Sequence, residues 1–448
     1  MNAPSRFVAR WLDRLGVHTR DLVGGAAVAL AAKVLGAGAG FALSYTVARL
    51  FGPDGTGEFY LALGALSVVT VLGRVGVDQS VVRFVAAEAS EGAWGRVRSL
   101  AWRSLGVAIG PLVVGALGLA VGAEWLAGAA FGKPELAPSL RAVAWGVVPL
   151  GLAWIYAGLL RGRRDIAASQ LVQVVLNQVL TLLVLGALYA MGRATVTHAL
   201  HAYALATAGG LLVGALWWHA RLPAGDASVF PVRTLATTSL PLHGIAIMGV
   251  LTNWLPVLLL GALATSAETG ILAIAVRVIT LAGFVLMAIN VMAAPQFAAL
   301  VHQREALELA RLVRRTSMLT TLLAIPLLVA LLAVPHLVLG LFGEAFLEGT
   351  TVLRVLAVGY VINLVTGSVG TLLVMSGHER SMQTFTLVST ALLATGCALL
   401  IPSLGALGAA LATSASMALQ NILAAWWVWR TFRINPLFFL PTPEPRLN

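Results

Sequence analysis

Residues 24–52 read GGAAVALAAKVLGAGAGFALSYTVARLFG, from Gly24 to Gly52. The run is long enough to cross a bilayer, since about 20 apolar residues rising about 1.5 Å each cover the roughly 30 Å of hydrocarbon. Inside it, among glycines and alanines, sits Lys33, one of only two lysines in the chain. The rest of the sequence has the same apolar character. Of 448 residues, 59% are hydrophobic and 10% charged, and the mean hydropathy is +0.91. Soluble domains carry about 25% charged residues, so the composition is that of a polytopic membrane protein. Twelve apolar segments can be marked, over residues 24–50, 58–85, 104–130, 141–160, 167–191, 198–219, 237–262, 269–296, 315–342, 350–375, 383–402 and 405–430. Backbone polar groups in lipid must be satisfied within the segment, and the period is not the alternation of a barrel strand, so an all-α fold is expected.

The basic residues set the orientation. The N-terminus holds Arg6, Arg10, Arg14 and Arg20, and 21 of the 29 lysines and arginines fall on that side of the twelve segments. Lys133, Arg141 and Arg193 fall on the other. Positive residues are retained in the cytoplasm, which puts both termini there. The net charge of +11 is assigned to that side and to anionic lipid, not to nucleic acid. Residues 6–17 read as a basic amphipathic helix in the interface. The tryptophans near segment ends, Trp217, Trp218, Trp426 and Trp427 among them, read as an interfacial belt.

The chain also repeats itself. TGEFYLA (56–62) resembles TGILAIA (269–275), LLRGRRD (159–165) lines up with VMSGHER (374–380), ALAT recurs at 204 and 410, and the Trp pair at 217 recurs at 426. The near-constant offset argues for two halves of six helices. Six is even, so the repeat is parallel, about an axis along the membrane normal. The expected organisation is a cytoplasmic interfacial segment (1–23), an N-terminal six-helix bundle (24–220), a bare linker (221–236), a C-terminal six-helix bundle (237–432) and a cytoplasmic tail (433–448), the bundles forming a V around a central cavity.

At this point the residues resemble a known family. ARLFGPDGTGEFYLALGALSVVTVLGRVGVDQSVVRFVA, residues 48–86, resembles the first hairpin of the Wzx-type polysaccharide flippases. Its pattern is a basic residue, Leu-Gly-Pro, an acidic or polar turn, Gly-x-(Phe/Tyr), then Gly-(Leu/Val)-Asp and Arg-(Phe/Tyr)-(Val/Ile)-Ala. PLHGIAIMGVLTNWLPVLLLGALATSAETGILAIAVRVI, residues 241–279, resembles the matching region of the second half. Where this chain has Asn253–Pro256, relatives often carry an acid. The family shares a superfamily with the multidrug and toxin extruders and the lipid II flippases. The resemblance implies alternating-access transport of an undecaprenyl-diphosphate-linked oligosaccharide from inner to outer leaflet. The implied partners are that lipid-linked glycan, membrane lipids and the enzymes of glycan assembly.

The buried charges are read in that light. A charge at the bilayer centre costs at least about 2.5–3.5 kcal/mol, so it faces protein or a cavity. Lys33 and Arg74 fall in the inner half of the membrane, Arg277 and Arg354 in the outer half. A diphosphate could pass between them, Arg gripping phosphate oxygens in pairs and Lys acting as a point charge. Asp78, four residues after Arg74, restrains it. The candidate sugar contacts are Gln173 and Asn177, on one stripe with Gln170, and the isolated Tyr45, Asn253, Asn290 and Asn363.

Other functions find less support. A cation-coupled multidrug exporter wants a lone carboxylate in its cavity, and the only acid well inside a segment is Asp78. A membrane glycan polymerase or ligase wants long outer loops and acidic groups. No phosphate-binding glycine loop, HExxH, CxxC or nucleophile elbow occurs. The sequence therefore describes a transporter, not an enzyme, with no cofactor and with H+ or Na+ as the candidate coupling ion.

Overall fold

The computed structural model describes residues 17–226, 228–440 and 445–446. The interfacial helix expected over residues 6–17 lies, but for Val17, outside them. Among the described residues the regular structure is helical throughout. Nine of the described helices are long and apolar enough to cross a membrane, or ten when the pair bent by 45° at residues 145–146 is taken as one span.

Two of these are hairpins. Val17–Arg74 breaks at Gly52, where φ is 64° and ψ −171°. In an unbroken helix Ser44 and Tyr60 would stand about 24 Å apart. Their hydroxyls are 2.6 Å apart, so the chain turns back into α1 (17–51) and α2 (53–74). Gly52 takes the left-handed φ that a side chain resists, and Pro53 opens the second helix with a preset φ. Glu379–Phe432 turns the same way at Gly405, φ 53°. The Ser416 hydroxyl reaches the Ser389 carbonyl at 2.6 Å across that turn. With each hairpin taken as two, the described helices match the twelve apolar segments in number.

In chain order after α2 come α3 (Val77–Ser90), α4 (Trp94–Val121), the bent pair α5 (Ala137–Ala144) and α6 (Val147–Gly162), α7 (Ile166–Ala190) and α8 (Val196–Ala220). Then come α9 (Val232–Leu263), α10 (Ser266–His302), α11 (Ala306–Ala333), α12 (Thr350–Thr366), α13 (Val369–Met375), and the two arms α14 (379–404) and α15 (406–432). Two segments sit off their sequence positions. The segment expected over 315–342 is α11, which starts and stops nine residues earlier, and the one expected over 104–130 is α4, which begins at Trp94. Hydropathy marks only the lipid-immersed part of a helix. The first turns of α11 bury Leu309, Ala310 and Val313 while Glu308 and Arg311 stay exposed. At the other end Pro335 keeps Val334 out of the helical region, and α11 stops.

The residues between α8 and α9 are docked instead of bare. Phe230 is buried with its ring 4.9 Å from that of Phe84, and Arg98 donates to the Pro223 carbonyl at 3.2 Å. The final segment is docked too, Arg314 donating to the Phe438 carbonyl at 2.7 Å.

A close helix-to-helix crossing joins the two copies of the repeated Thr-Gly. A Cβ on Gly57 would lie 1.9 Å from the Ser266 carbonyl oxygen, and one on Gly270 2.0 Å from that of Pro53. Thr56 and Thr269 each bond back one turn, to the carbonyls of Gly52 and Thr265. The Gly405 turn meets the Glu268 carboxylate, and Lys133 donates to the Gly261 carbonyl at 2.7 Å. Burial pushes the Lys133 ammonium below the ordinary lysine range, against the opposing pull of Glu135, Glu268 and Asp54. This end of the molecule, the hairpin end, is therefore closed by backbone-to-backbone contact. Gly57→Ala and Gly270→Ala should each cost about 1–3 kcal/mol or more, because the clash is with main chain that cannot rotate away. Thermal unfolding in detergent should show a clear drop for both. Gly38→Ala, where a Cβ meets nothing, should leave the midpoint unchanged or raised.

Candidate functional site

Two clefts are stacked along one face of α10. The first, about 250 Å³, is lined by Arg277 and Thr280 of α10, Tyr60 of α2, and Asn253, Trp254 and Val257 of α9. The second, about 460 Å³, is lined by Lys33 of α1, by Gly283, Leu286, Met287 and Asn290 of α10, and by Tyr360 and Asn363 of α12. The α10 residues recur at 273, 276, 277, 280, 283, 286, 287 and 290, the three-and-four spacing of a single helix face. Arg277 and Asn290 are 13 positions apart, about 20 Å along the axis.

Around Arg277 the first cleft is built from both halves of the sequence. Its guanidinium lies 5.9 Å from the Tyr60 ring centre. Gly40 lies beside it: a Cβ there would sit 3.9 Å from both the Arg277 guanidinium and the Gln178 amide, an ordinary contact distance. Tyr203 of α8 is near Asn177 and Arg277. The side-chain oxygens of Asn177 and Gln178 are buried without a hydrogen-bond partner among the described residues. Asn253 turns its amide back to the Gly249 carbonyl at 2.7 Å. Lys33 is exposed to the second cleft and makes no ion pair or hydrogen bond among the described residues. No aspartate or glutamate lines either cleft.

The other sequence candidates fall elsewhere. Arg74 and Asp78 form a buried ion pair at 2.8 Å, their side chains 6% and 3% exposed. They flank a break in the helix at Val75 and Gly76, both of positive φ. Arg74 ends α2 and Asp78 begins α3, so each charge also sits at the favourable end of a helix dipole. The Arg74 guanidinium stacks 4.3 Å from the Trp154 ring centre. A Cβ on Gly76 would lie 2.3 Å from the Ser239 carbonyl, and Ser80 and Ser239 share a 2.7 Å hydrogen bond, so α3 and α9 are locked together here. Arg354 is exposed near the start of α12 and donates to the Leu332 carbonyl at 3.1 Å. Tyr45 packs its ring on Phe342, and Gln173 lies in a π-helical turn over Leu171–Val175. Neither lines the two clefts.

Tyr60, Gln178, Tyr203 and Tyr360 were not singled out by the sequence. A regular helix places Gln173 and Asn177 on one stripe. The π turn over Leu171–Val175 contains Gln173 and changes its register to Asn177, and the amide beside Gly40 is that of Gln178. The tyrosines are indistinguishable in sequence from interfacial anchors.

Architecture and cleft together define the class: a membrane transporter of helical hairpins and long spans, with cations facing an internal track. The comparisons agree. Residues 22–301 match the family model described as "Polysaccharide biosynthesis protein", and the chain belongs to that family. Its fold is that of the MOP-superfamily transporters. It is similar to the lipid II flippase MurJ in an inward closed conformation (TM-score 0.72, 11% identity, covering 91% of this chain and 88% of that one). It is also similar to an inward-facing multidrug resistance MATE family transporter (0.70, 17%, 90% and 97%). A third likeness is to a MOP superfamily transporter from Pyrococcus furiosus whose binding pocket is described as having reverse polarity (0.65, 17%, 91% and 94%). A search of curated protein sequences returns no significant match.

The geometry of the Arg74–Asp78 pair predicts a stability phenotype. Arg74→Leu or Asp78→Leu alone strands a buried charge and should cost about 3–5 kcal/mol, while the double substitution should recover most of it. Expression level and melting temperature check this. A double variant no better than the singles would place the pair's value outside the ion pair itself.

Proposed function

We propose that the protein flips an undecaprenyl-diphosphate-linked oligosaccharide from the inner to the outer leaflet by alternating access. One observation carries the reading: Lys33, at membrane depth, faces a cleft with no carboxylate and no partner of its own. A lone cation so placed is costly unless a ligand anion completes it. Arg277 stands further along the same α10 face, also without a carboxylate partner among the described residues. The pair supports a route in which a diphosphate is taken first by Lys33 and then held in two-pronged fashion by Arg277. Tyr60, Asn177, Asn253 and Gln178 supply neutral hydrogen bonds around it.

The basic side of the sequence is taken as cytoplasmic, so that both termini face the cytoplasm and the closed hairpin end faces outward. The chain then works as two six-helix halves, residues 24–220 and 237–432. The matched Arg221–Trp217 and Arg430–Trp426 contacts, with ring distances of 4.6 and 5.4 Å, support that division. H+ or Na+ is the proposed coupling ion. Asp78 is committed to Arg74 and is no free carboxylate for a drug cation. The similar structures include pockets of different polarity on one fold, so the substrate is argued from these side chains alone.

In proteoliposomes, Lys33→Ala and Arg277→Gln should each lower transport of an undecaprenyl-diphosphate-linked glycan at least about tenfold, at normal expression. That loss corresponds to one charge-assisted contact of about 1.5–3 kcal/mol. Lys33→Arg should retain most activity. Wild-type rates in both charge-removing variants would sink the proposal.

A further inference from the structure

A third cleft, of about 530 Å³, continues the Lys33 cleft into the second half of the sequence. Leu286, Asn290 and Asn363 line both. Beyond them the walls carry Thr371, Gln420 and Asn421, with Met375, Met382 and Met417 between. Each volume lies in the range of about 300–1,000 Å³ that small-molecule sites occupy. No charged residue lines the third cleft. The track thus has a polarity of its own: a cation at one end, then four carboxamides.

Those carboxamides come from three helices. Asn290 projects from α10, Asn363 from α12, and Gln420 and Asn421 from α15. The Asn290 side-chain oxygen is buried and without a partner, and the Asn363 side chain makes no hydrogen bond among the described residues. The other two are engaged between helices. Gln420 donates to the Thr386 hydroxyl at 3.1 Å and accepts from the Ser389 hydroxyl at 3.5 Å; Asn421 donates to the Met417 carbonyl at 2.9 Å and accepts from the Thr366 hydroxyl at 3.3 Å. They join α15 to α14 and α12, as amides do between membrane helices, and each –NH₂ keeps a second N–H. Asn290 and Asn363 have no such partner among the described residues.

A wall that keeps two unpaired amides, Asn290 and Asn363, disfavours an acyl chain, which would strand their polar groups. It offers nothing special to a cation. It suits a neutral polyhydroxyl ligand, because a carboxamide gives a donor and an acceptor side by side, the pattern of two adjacent sugar hydroxyls. The thioethers between the amides offer soft apolar surface to the C–H face of a ring. We infer that the cleft between α10, α12 and α15 seats the first sugars of the transported lipid, with Asn290 and Asn363 as the direct contacts and Lys33 holding the diphosphate beside them. The inference rests on the flippase reading and adds the part of the substrate that this wall recognises.

The test is binding to the full-length protein in nanodiscs, followed by intrinsic tryptophan fluorescence. Two probes are used: undecaprenyl diphosphate alone, and undecaprenyl diphosphate carrying an N-acetylglucosamine disaccharide. Wild type should bind the glycosylated lipid more tightly. Asn363→Ala and Asn290→Ala should each weaken that binding about five- to tenfold, one lost hydrogen bond, and leave the bare lipid unchanged. Unchanged binding of the bare lipid also certifies the fold of each variant. Lys33→Gln should weaken both probes. Equal losses for both lipids in the asparagine variants, no loss for either, or a wild type indifferent to the sugar would each overturn the inference while leaving the flippase reading intact. A wild type that binds neither lipid would remove the flippase reading itself.

Discussion

The fold depends on one close approach, the crossing of two backbones at Gly57 and Gly270. Nothing larger than hydrogen fits between α2 and α10 there, since any Cβ would meet a carbonyl oxygen at about 2 Å. In lipid no hydrophobic force drives helices together, and close approach through small residues has to supply the attraction by dispersion and weak contacts. The Thr-Gly that opens each copy of the repeat, at 56–57 and at 269–270, meets its counterpart here. A contact between repeats, built from the repeat itself, is what a near-twofold relation would produce. The turns at Gly52 and Gly405 and the bond from Lys133 to Gly261 gather around it.

Against that rigid end, the charges at membrane depth divide by whether they have partners. Arg74 has a carboxylate, an aromatic face and the carboxyl end of a helix, while its Nε is left without a hydrogen-bond partner among the described residues. Its neighbourhood also locks α3 to α9 through Ser80 and Ser239. Lys33 and Arg277 lack a carboxylate. The structure therefore commits Asp78 to an internal joint, and no carboxylate lines the clefts that hold Lys33 and Arg277.

Much of this was legible in the sequence. The apolar runs fix the number of helices, and the repeated TG, ALAT and WW strings point to two halves before any contact is known. Boundaries were less so, because the basic first turns of α4 and α11 lie outside the hydrocarbon and are invisible to hydropathy. For the site, burial cost alone selects Lys33, Arg74 and Arg277 as the charges that need explanation. It does not say which are already satisfied: the spacing of Arg74 and Asp78 suggests a pair, but the helix break that makes the pair fit so well is a backbone event at Val75 and Gly76. Nor could spacing reveal that Asn290 and Asn363 are neighbours. They lie 73 positions apart in sequence, and only the packing of α10 on α12 brings them to one wall.

The seal and the site share a helix, and that links them. Gly270 and Arg277 are both on α10, about 10 Å apart along its axis, and Asn290 is about 20 Å further on. Nothing between them breaks the helix, which runs unbroken from Ser266 to His302. A stiff rod pinned at Gly270 cannot release that contact without turning or sliding, and either movement shifts Arg277 relative to Tyr60 and Gly40, which belong to the other half of the sequence. In the proposed cycle an anion bridging Arg277 to the Tyr60 side would oppose or favour that displacement according to how well each arrangement holds it. A ligand can shift such an equilibrium only by its difference in affinity for the two states. In that proposed cycle the cation stands about two helical turns from the seal, so a rotation at Gly270 would change the grip on the proposed phosphate, and the proposed sugar wall, further along the same rod, would move with it.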